Sequence, residues 1–171
     1  DVIVDYEDVA LYQDYTNRLA LPSAEHWFGT DNYGRDMLAR VIHGTRVSYS
    51  IGFGAIGVAS VIGIFLGAVA AYTGGWVDTI ITRIMDTLMS IPNLLLSLAI
   101  MASLGSGAFN LAMAMAISNI PQFARLIRSS VLTVVDQEYV MAAKACGTSD
   151  MRIIFKHILP NAIGPIIVKA T

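Results

Sequence analysis

Gly52, Gly54 and Gly57 stand at the G-x-G-x-x-G spacing with which a backbone loop cradles a pyrophosphate. Asp78 follows 21 residues after Gly57, where a dinucleotide site would want a ribose-binding carboxylate. The surroundings remove that chemistry. No strand precedes the glycines, and they lie inside a 31-residue stretch, 47–77, that carries no charge, so no water-exposed helix start awaits a phosphate. Packing is the better reading: Gly52, Ala59, Gly63 and Gly67 fall on roughly one helix face, and Gly63-x3-Gly67 permits close helix approach. Asp86 follows Arg83 by one helical turn, which reads as an i, i+3 ion pair at the edge of an apolar segment in preference to a proton relay. His26, His43 and His157 are scattered without metal-ligand spacing. Cys146 is alone, which forbids an intrachain disulfide, and a small buried contact is its expected role. The sequence has no G-x4-G-K-[ST] loop for nucleotide and no nucleophile beside a base. Residue by residue, the chain is expected to do no chemistry of its own and to hold no cofactor or metal.

The elements that must position these residues are apolar and long. Of 171 residues 55% are hydrophobic and 14% charged, well under the share of about 25% usual in soluble domains, and the mean hydropathy is +0.60. The net charge of −2 comes without a basic patch, so no nucleic acid is implied. A membrane-crossing helix needs about 20 apolar residues. The uncharged stretch 47–77 holds one, and the uncharged stretch 87–124 has room for two, broken at Gly105-Ser106-Gly107. The expected fold is all-α, a multi-pass helical membrane protein with spans at about 47–72, 80–104 and 108–127 and another begun at 161. Pro92 and Pro121 interrupt spans, either as points of bending in a moving wall or as static kinks. Ser90, Asn93, Ser97, Asn110, Ser118, Asn119 and Gln122 put neutral polar groups in the spans, and they either face a translocation path or bond helix to helix. Asn93, Asn119 and Gln122 are the candidate path-lining residues.

Between the apolar segments lies EYVMAAKACGTSDMRIIFKHILPN, Glu138 to Asn161. Its charges would each cost about 3 kcal/mol in hydrocarbon, so it must protrude into water and is placed to touch something there. Glu138 to Cys146 is a good helix former, with Ala142, Ala143 and Ala145 giving a small-sided surface for a partner backbone. Gly147 suits a left-handed helix exit, and Thr148, Ser149 and Asp150 can cap a second helix. In that helix Met151, Ile154, Phe155 and Ile158 make one apolar stripe, part of it to pack on the chain's own helix ends and part to be covered by a partner. Arg152 and Lys156 share another face, Arg152 being suited to a partner carboxylate or carbonyl. Leu159-Pro160 ends the unit, because proline denies the helix an amide.

This run resembles the cytoplasmic loop of the membrane subunits of ATP-driven (ABC) importers, EAA-x3-G-x9-I-x-L-P. Ala142, Ala143, Gly147, Leu159 and Pro160 fall on the pattern; Met141 stands at its Glu and His157 at its Ile. Residues 23–49, SAEHWFGTDNYGRDMLARVIHGTRVSY, and TRIMDTLMSIPNLLL from Thr82 resemble the same parts of C-type permease subunits of oligopeptide and dipeptide importers. The likeness runs colinearly over about residues 20–171. It implies a type I ABC importer permease core, here a fragment, since family members have one more span before residue 1 and two after the loop. It also implies coupling through Ala142, Ala143, Gly147, Met151, Arg152, Phe155, Leu159 and Pro160 to cytoplasmic ATP-binding subunits. The further partners implied are a second permease subunit, an extracytoplasmic solute-binding protein and membrane lipid.

Charge gives the orientation. Arg128, Lys144, Arg152 and Lys156 in the loop 128–160, with Arg125 at its edge, face an uncharged 105–107 connection, so the loop is expected in the cytoplasm. Residues 1–46 are then external. They form an acidic lead-in with Asp1, Asp5, Glu7, Asp8, Asp14, Glu25, Asp31 and Asp36 against Arg18, Arg35, Arg40 and Arg46. A short surface helix, Arg35 to His43, would orient the first span. The expected protein is thus a multi-pass permease subunit of a bacterial or archaeal plasma-membrane importer for oligopeptides or dipeptides. Nickel or another small solute is the alternative cargo. An ion-coupled secondary transporter would need ionisable residues deep in the spans, where only Asp86 offers itself, and an intramembrane enzyme would need paired catalytic groups at one depth.

Overall fold

The computed structural model describes residues 10–170; Asp1, Asp5, Glu7 and Asp8 of the acidic lead-in lie outside the described residues. Among those described, the elements are helical, with one isolated antiparallel bridge between Thr30 and Asp36. The chain divides into two units at Ile51 and Gly52.

The first unit is a lead-in wound around two carboxylates. Asp31 accepts from the backbone of Tyr33 at 2.8 Å and Arg35 at 3.1 Å, from Arg35 Nε at 2.8 Å and from Arg40 Nη1 at 2.7 Å. Burial pushes its carboxyl up, but the Arg35 side chain and these backbone amides outweigh that and bring it down to about 2. Asp36 lies beside His26 Nδ1 at 2.8 Å and accepts from the Ala39 amide at 2.8 Å, capping the helix that follows. Gly34, at φ 74°, could take no side chain: a Cβ would lie 1.7 Å from the Asp14 carbonyl oxygen. The expected surface helix Arg35 to His43 is not a separate element. Its residues open α1 (Met37–Thr73), because nothing between His43 and Val47 breaks a helix already capped at Asp36.

The second unit carries the rest of α1, then α2 (Gly75–Met89), α3 (Asn93–Leu104), α4 (Ala108–Leu132) and α5 (Glu138–Ala145). After them come α6 (Asp150–Ile153), a π-turn (Ile154–Ile158), α7 (Leu159–Ala162) and α8 (Gly164–Ala170). α1 is long and apolar enough to cross a membrane. The stretch expected as one span, 80–104, is two helices, α2 and α3, bent by 88° at Ser90-Ile91-Pro92. Pro92 sits just before α3, where its missing amide is harmless. Pro121, by contrast, does not interrupt: it is fully buried inside an unbroken α4.

Small residues set how the helices meet. A Cβ on Gly63 would fall 2.5 Å from the Phe123 Cβ, and one on Gly67 would fall 2.3 Å from the Ala124 carbonyl oxygen, so α1 and α4 touch backbone to backbone there. Gly52, expected on the same face, faces open space, as do Gly54 and Gly57. Around this contact Ala59, Ala116, Phe123, Ile127, Val131, Val140, Ile153 and Ile158 form the apolar core.

Candidate functional site

The segment 138–160 is built as two helices about Gly147, which takes φ 74°. The Gly147 amide donates to the Lys144 carbonyl at 2.9 Å and the Thr148 amide to the Ala143 carbonyl at 3.1 Å, the paired bonds of a left-handed helix exit. Ser149 stands at the start of α6 in extended conformation but makes no side-chain cap; its carbonyl takes the Ile153 amide at 3.0 Å.

One expectation for the second helix is corrected. Pro160 does not end it: the axis continues through α7 to Ala162. The preceding turn widens so that the Leu159 amide reaches back to the Ile154 carbonyl, which makes room for the proline ring. The apolar stripe is divided between core and surface. Ile154 and Ile158 are buried together with Ile153, Leu159 and Val140, whereas Met151 and Phe155 are more than half exposed. Phe155 does not extend the loop's outer face. It lines an apolar groove of about 410 Å³ with Val61, Ile62, Ile64, Phe65 and Leu66 of α1. Arg152, Ala142 and Pro160 are exposed, and Ala143 is half-buried against the core. Cys146, expected in a small buried contact, is exposed, because it caps α5 on the side away from Val140.

The outer face of the loop is therefore α5. Tyr139, Met141, Ala142, Lys144 and Ala145 are exposed on it, and Val140 alone is fully buried, docked among the isoleucines. This face rests on a packed base.

Ion pairs join α2 to α4. Asp78 takes both Nε and Nη2 of Arg128 at 2.6 Å, with Thr82 Oγ1 donating to the same carboxylate at 3.1 Å. Asp86 pairs with Arg125 and not, as expected, with Arg83, because α4 brings a guanidinium to it while Arg83 points outward. Arg128 thus belongs to α4, with its charge spent inside the fold.

The polar groups of α3 and α4 meet one another. Ser97 and Ser118 hydroxyls lie 2.7 Å apart, Asn93 Nδ2 donates to Asn119 Oδ1 at 3.2 Å, and Asn119 Nδ2 donates to the Met115 carbonyl at 2.7 Å. Ser118 also bonds the Ala114 carbonyl of its own helix at 2.8 Å. The buried Asn93 Oδ1 has no partner among the described residues. Gln122, half-buried, stands one turn further along α4 from Asn119. Asn110 closes the hairpin by donating to the Leu104 carbonyl at 2.8 Å. No group of three or more His, Cys, Asp or Glu capable of holding a metal occurs among the described residues.

Residues 60–171, which hold α2 to α8 and the Gly63–Gly67 contact, match the family model of the binding-protein-dependent transport system inner membrane component. The chain belongs to this family. It is 50% identical over 156 residues to a dipeptide transport system permease protein of Alkalihalophilus pseudofirmus, covering 91% of this chain and 51% of that protein. A probable D,D-dipeptide transport system permease protein of Escherichia coli is 46% identical over 158 residues, 92% of this chain and 53% of its own length. A glutathione transport system permease protein of Pectobacterium atrosepticum is 42% identical over 161 residues, 94% of this chain and 54% of its own length. The chain spans about half the length of these curated relatives. They are transport permeases and not enzymes, and the family is one of inner-membrane proteins, in keeping with the apolar length of α1.

Proposed function

We propose that this chain is part of a multi-pass permease subunit of an ATP-driven importer of short peptides, which forms half of a translocation path. The observation that carries the reading is the exposed face of α5, held on a packed base at the position of the importer loop. An ATPase cleft needs a rigid helix with an accessible surface, and Tyr139, Met141, Ala142 and Ala145 supply it. Met151 and Arg152, exposed where α6 begins, border that face and add an apolar and a charged contact. Phe155 lies along α1 and is left out of the docking face.

In this mechanism two such loops, one from each permease subunit, sit in two cytoplasmic ATPases. Closure of the ATPases on ATP pushes the loops, tilts the helices packed on them and turns the path from inward-facing to outward-facing. There a solute-binding protein delivers cargo. The loop 128–160 is cytoplasmic and the lead-in external. Hydrolysis belongs to the partner. Dipeptides and the tripeptide glutathione, named for the relatives, share an extended backbone with charged ends, and cargo of that class is proposed here in place of nickel. Asn93 and Asn119, bonded to each other, and the half-buried Gln122 border the path where α3 meets α4.

The test is copurification with an ATPase and, with the solute-binding protein supplied, uptake of labelled dialanine in liposomes that follows ATP and not an ion gradient. Uptake driven by a proton or sodium gradient without an ATPase would replace this reading with a secondary transporter. For orientation, cysteines at Ser23 and Ser149 in a Cys146→Ser background are exposed to an impermeant thiol reagent on intact cells. Labelling at Ser149 but not at Ser23 would reverse the topology.

A further inference from the structure

We propose that Tyr72 is the joint through which movement of the loop enters α1; this rests on the importer reading above and names the residue that transmits it. Tyr72 is the penultimate residue of α1. Its hydroxyl donates to Asp150 Oδ1, at the first residue of α6, over 2.6 Å. The Lys144 ammonium, in the last turn of α5, stands 4.6 Å from the centre of the Tyr72 ring. One side chain of α1 therefore holds both loop helices, on either side of Gly147.

The backbone around it is free to follow. Gly74, between α1 and α2, and Gly75, which opens α2, both have positive φ, 64° and 54°, and open space where a Cβ would be. Gly147 likewise has open space beside it, so the angle between α5 and α6 can change without a clash. Further along α1, Gly63 and Gly67 press on α4. A displacement of α5 and α6 thus pulls the end of α1, which can tilt about its glycine contact with α4 without dragging α2. The phenol–carboxylate bond is charge-assisted and directional, so it ties the end of α1 to the start of α6. Tyr72 is a positioning residue: it touches no cargo and no nucleotide.

The test uses the complete importer, both permease subunits with their ATPases and the solute-binding protein, in liposomes and in a Cys146→Ser background. Spin labels at Val58→Cys and Ala145→Cys read the α1–α5 separation before and after trapping with ATP and vanadate, and ATP hydrolysis is followed alongside uptake of labelled dialanine. In the parent the separation keeps one narrow distribution on trapping. In Tyr72→Phe, which keeps the ring over Lys144, trapping broadens it, and the ATP hydrolysed per dialanine rises severalfold. Copurification of the ATPase stays at the parental level, which separates transmission from assembly. Asp150→Ala behaves like Tyr72→Phe, the double variant is no worse than either, and Asp150→Asn, which retains an acceptor oxygen, is close to the parent. Parental distances and parental ATP cost in Tyr72→Phe, or single effects that add, overturn the joint while leaving the importer reading intact. A parent that binds no ATPase overturns the importer reading, and the joint with it. Should the parent hydrolyse ATP without carrying dialanine, the label distances alone decide.

Discussion

The lead-in and the loop 138–160 are both polar stretches beside apolar helices, yet they are held by opposite means. The lead-in hangs on Asp31, whose carboxylate gathers two guanidinium groups and two amides, and on Asp36, with few large side chains buried. The loop hangs on Val140, Ile153, Ile154 and Ile158, buried in the same apolar cluster as Phe123, Ile127 and Val131 of α4, with its charges pointing out. A carboxylate hub fixes direction and fails when it loses charge. An apolar base tolerates charge changes but fails when it loses volume, so the loop can dock a charged partner without loosening.

Four measurements break or sharpen this contrast. The largest effect belongs to Ile158→Ala, which opens a cavity at a fully buried site and should cost about 2–5 kcal/mol. Hydrogen exchange should show amides of 138–162 losing protection while residues 14–36 keep theirs; equal loss in both would mean the two regions unfold together. Next, Asp31→Asn should cost about 1–3 kcal/mol by stranding Arg35 and Arg40, with the exchange pattern reversed. Gly147→Val forces a β-branched residue to positive φ, for about 1–2 kcal/mol, and should impair ATP-coupled uptake. A variant that assembles and transports at the parental rate would deny the hinge.

The smallest effect is a partial loss on acidification. The Asp31 carboxyl is depressed from 3.8 to about 2 in the folded chain. Its stabilisation is therefore complete above the ordinary value and falls away as pH drops from about 4 towards 2. Proteolysis of the lead-in should quicken across that window, and the Asp31→Asn variant should lack the step. An equally steep step in the variant would assign the acid response elsewhere.

Local chemistry made several features legible. Gly147 is where a helix exit costs least, so the two-helix form of the loop could be read directly, as could the close approach at Gly63 and Gly67. Other expectations failed because the deciding partner lay far along the chain. Asp86 has Arg83 one turn away but takes Arg125, 39 residues on, since α4 runs beside α2. Proline reads as a breaker, yet Pro121 is carried inside α4 and Pro160 is passed by way of a π-turn. The role of Tyr72 had no sequence signal at all, because Asp150 lies 78 residues away.

The sequence by itself determined that this chain is helical and apolar, that a charged loop must leave the hydrocarbon, and that glycines would set the hinge and the closest helix contact. These follow from properties of single residues and their near neighbours: solvation of charge, the missing Cβ, the missing proline amide. Only the tertiary structure decided which carboxylate meets which guanidinium, how the stripe Met151, Ile154, Phe155 and Ile158 divides between core and surface, and which helix of the loop faces outward. Those depend on the placement of α4, on which α1, α2, α3 and the isoleucines of the loop all converge, and a helix has many polar and apolar neighbours to choose from until its packing selects among them.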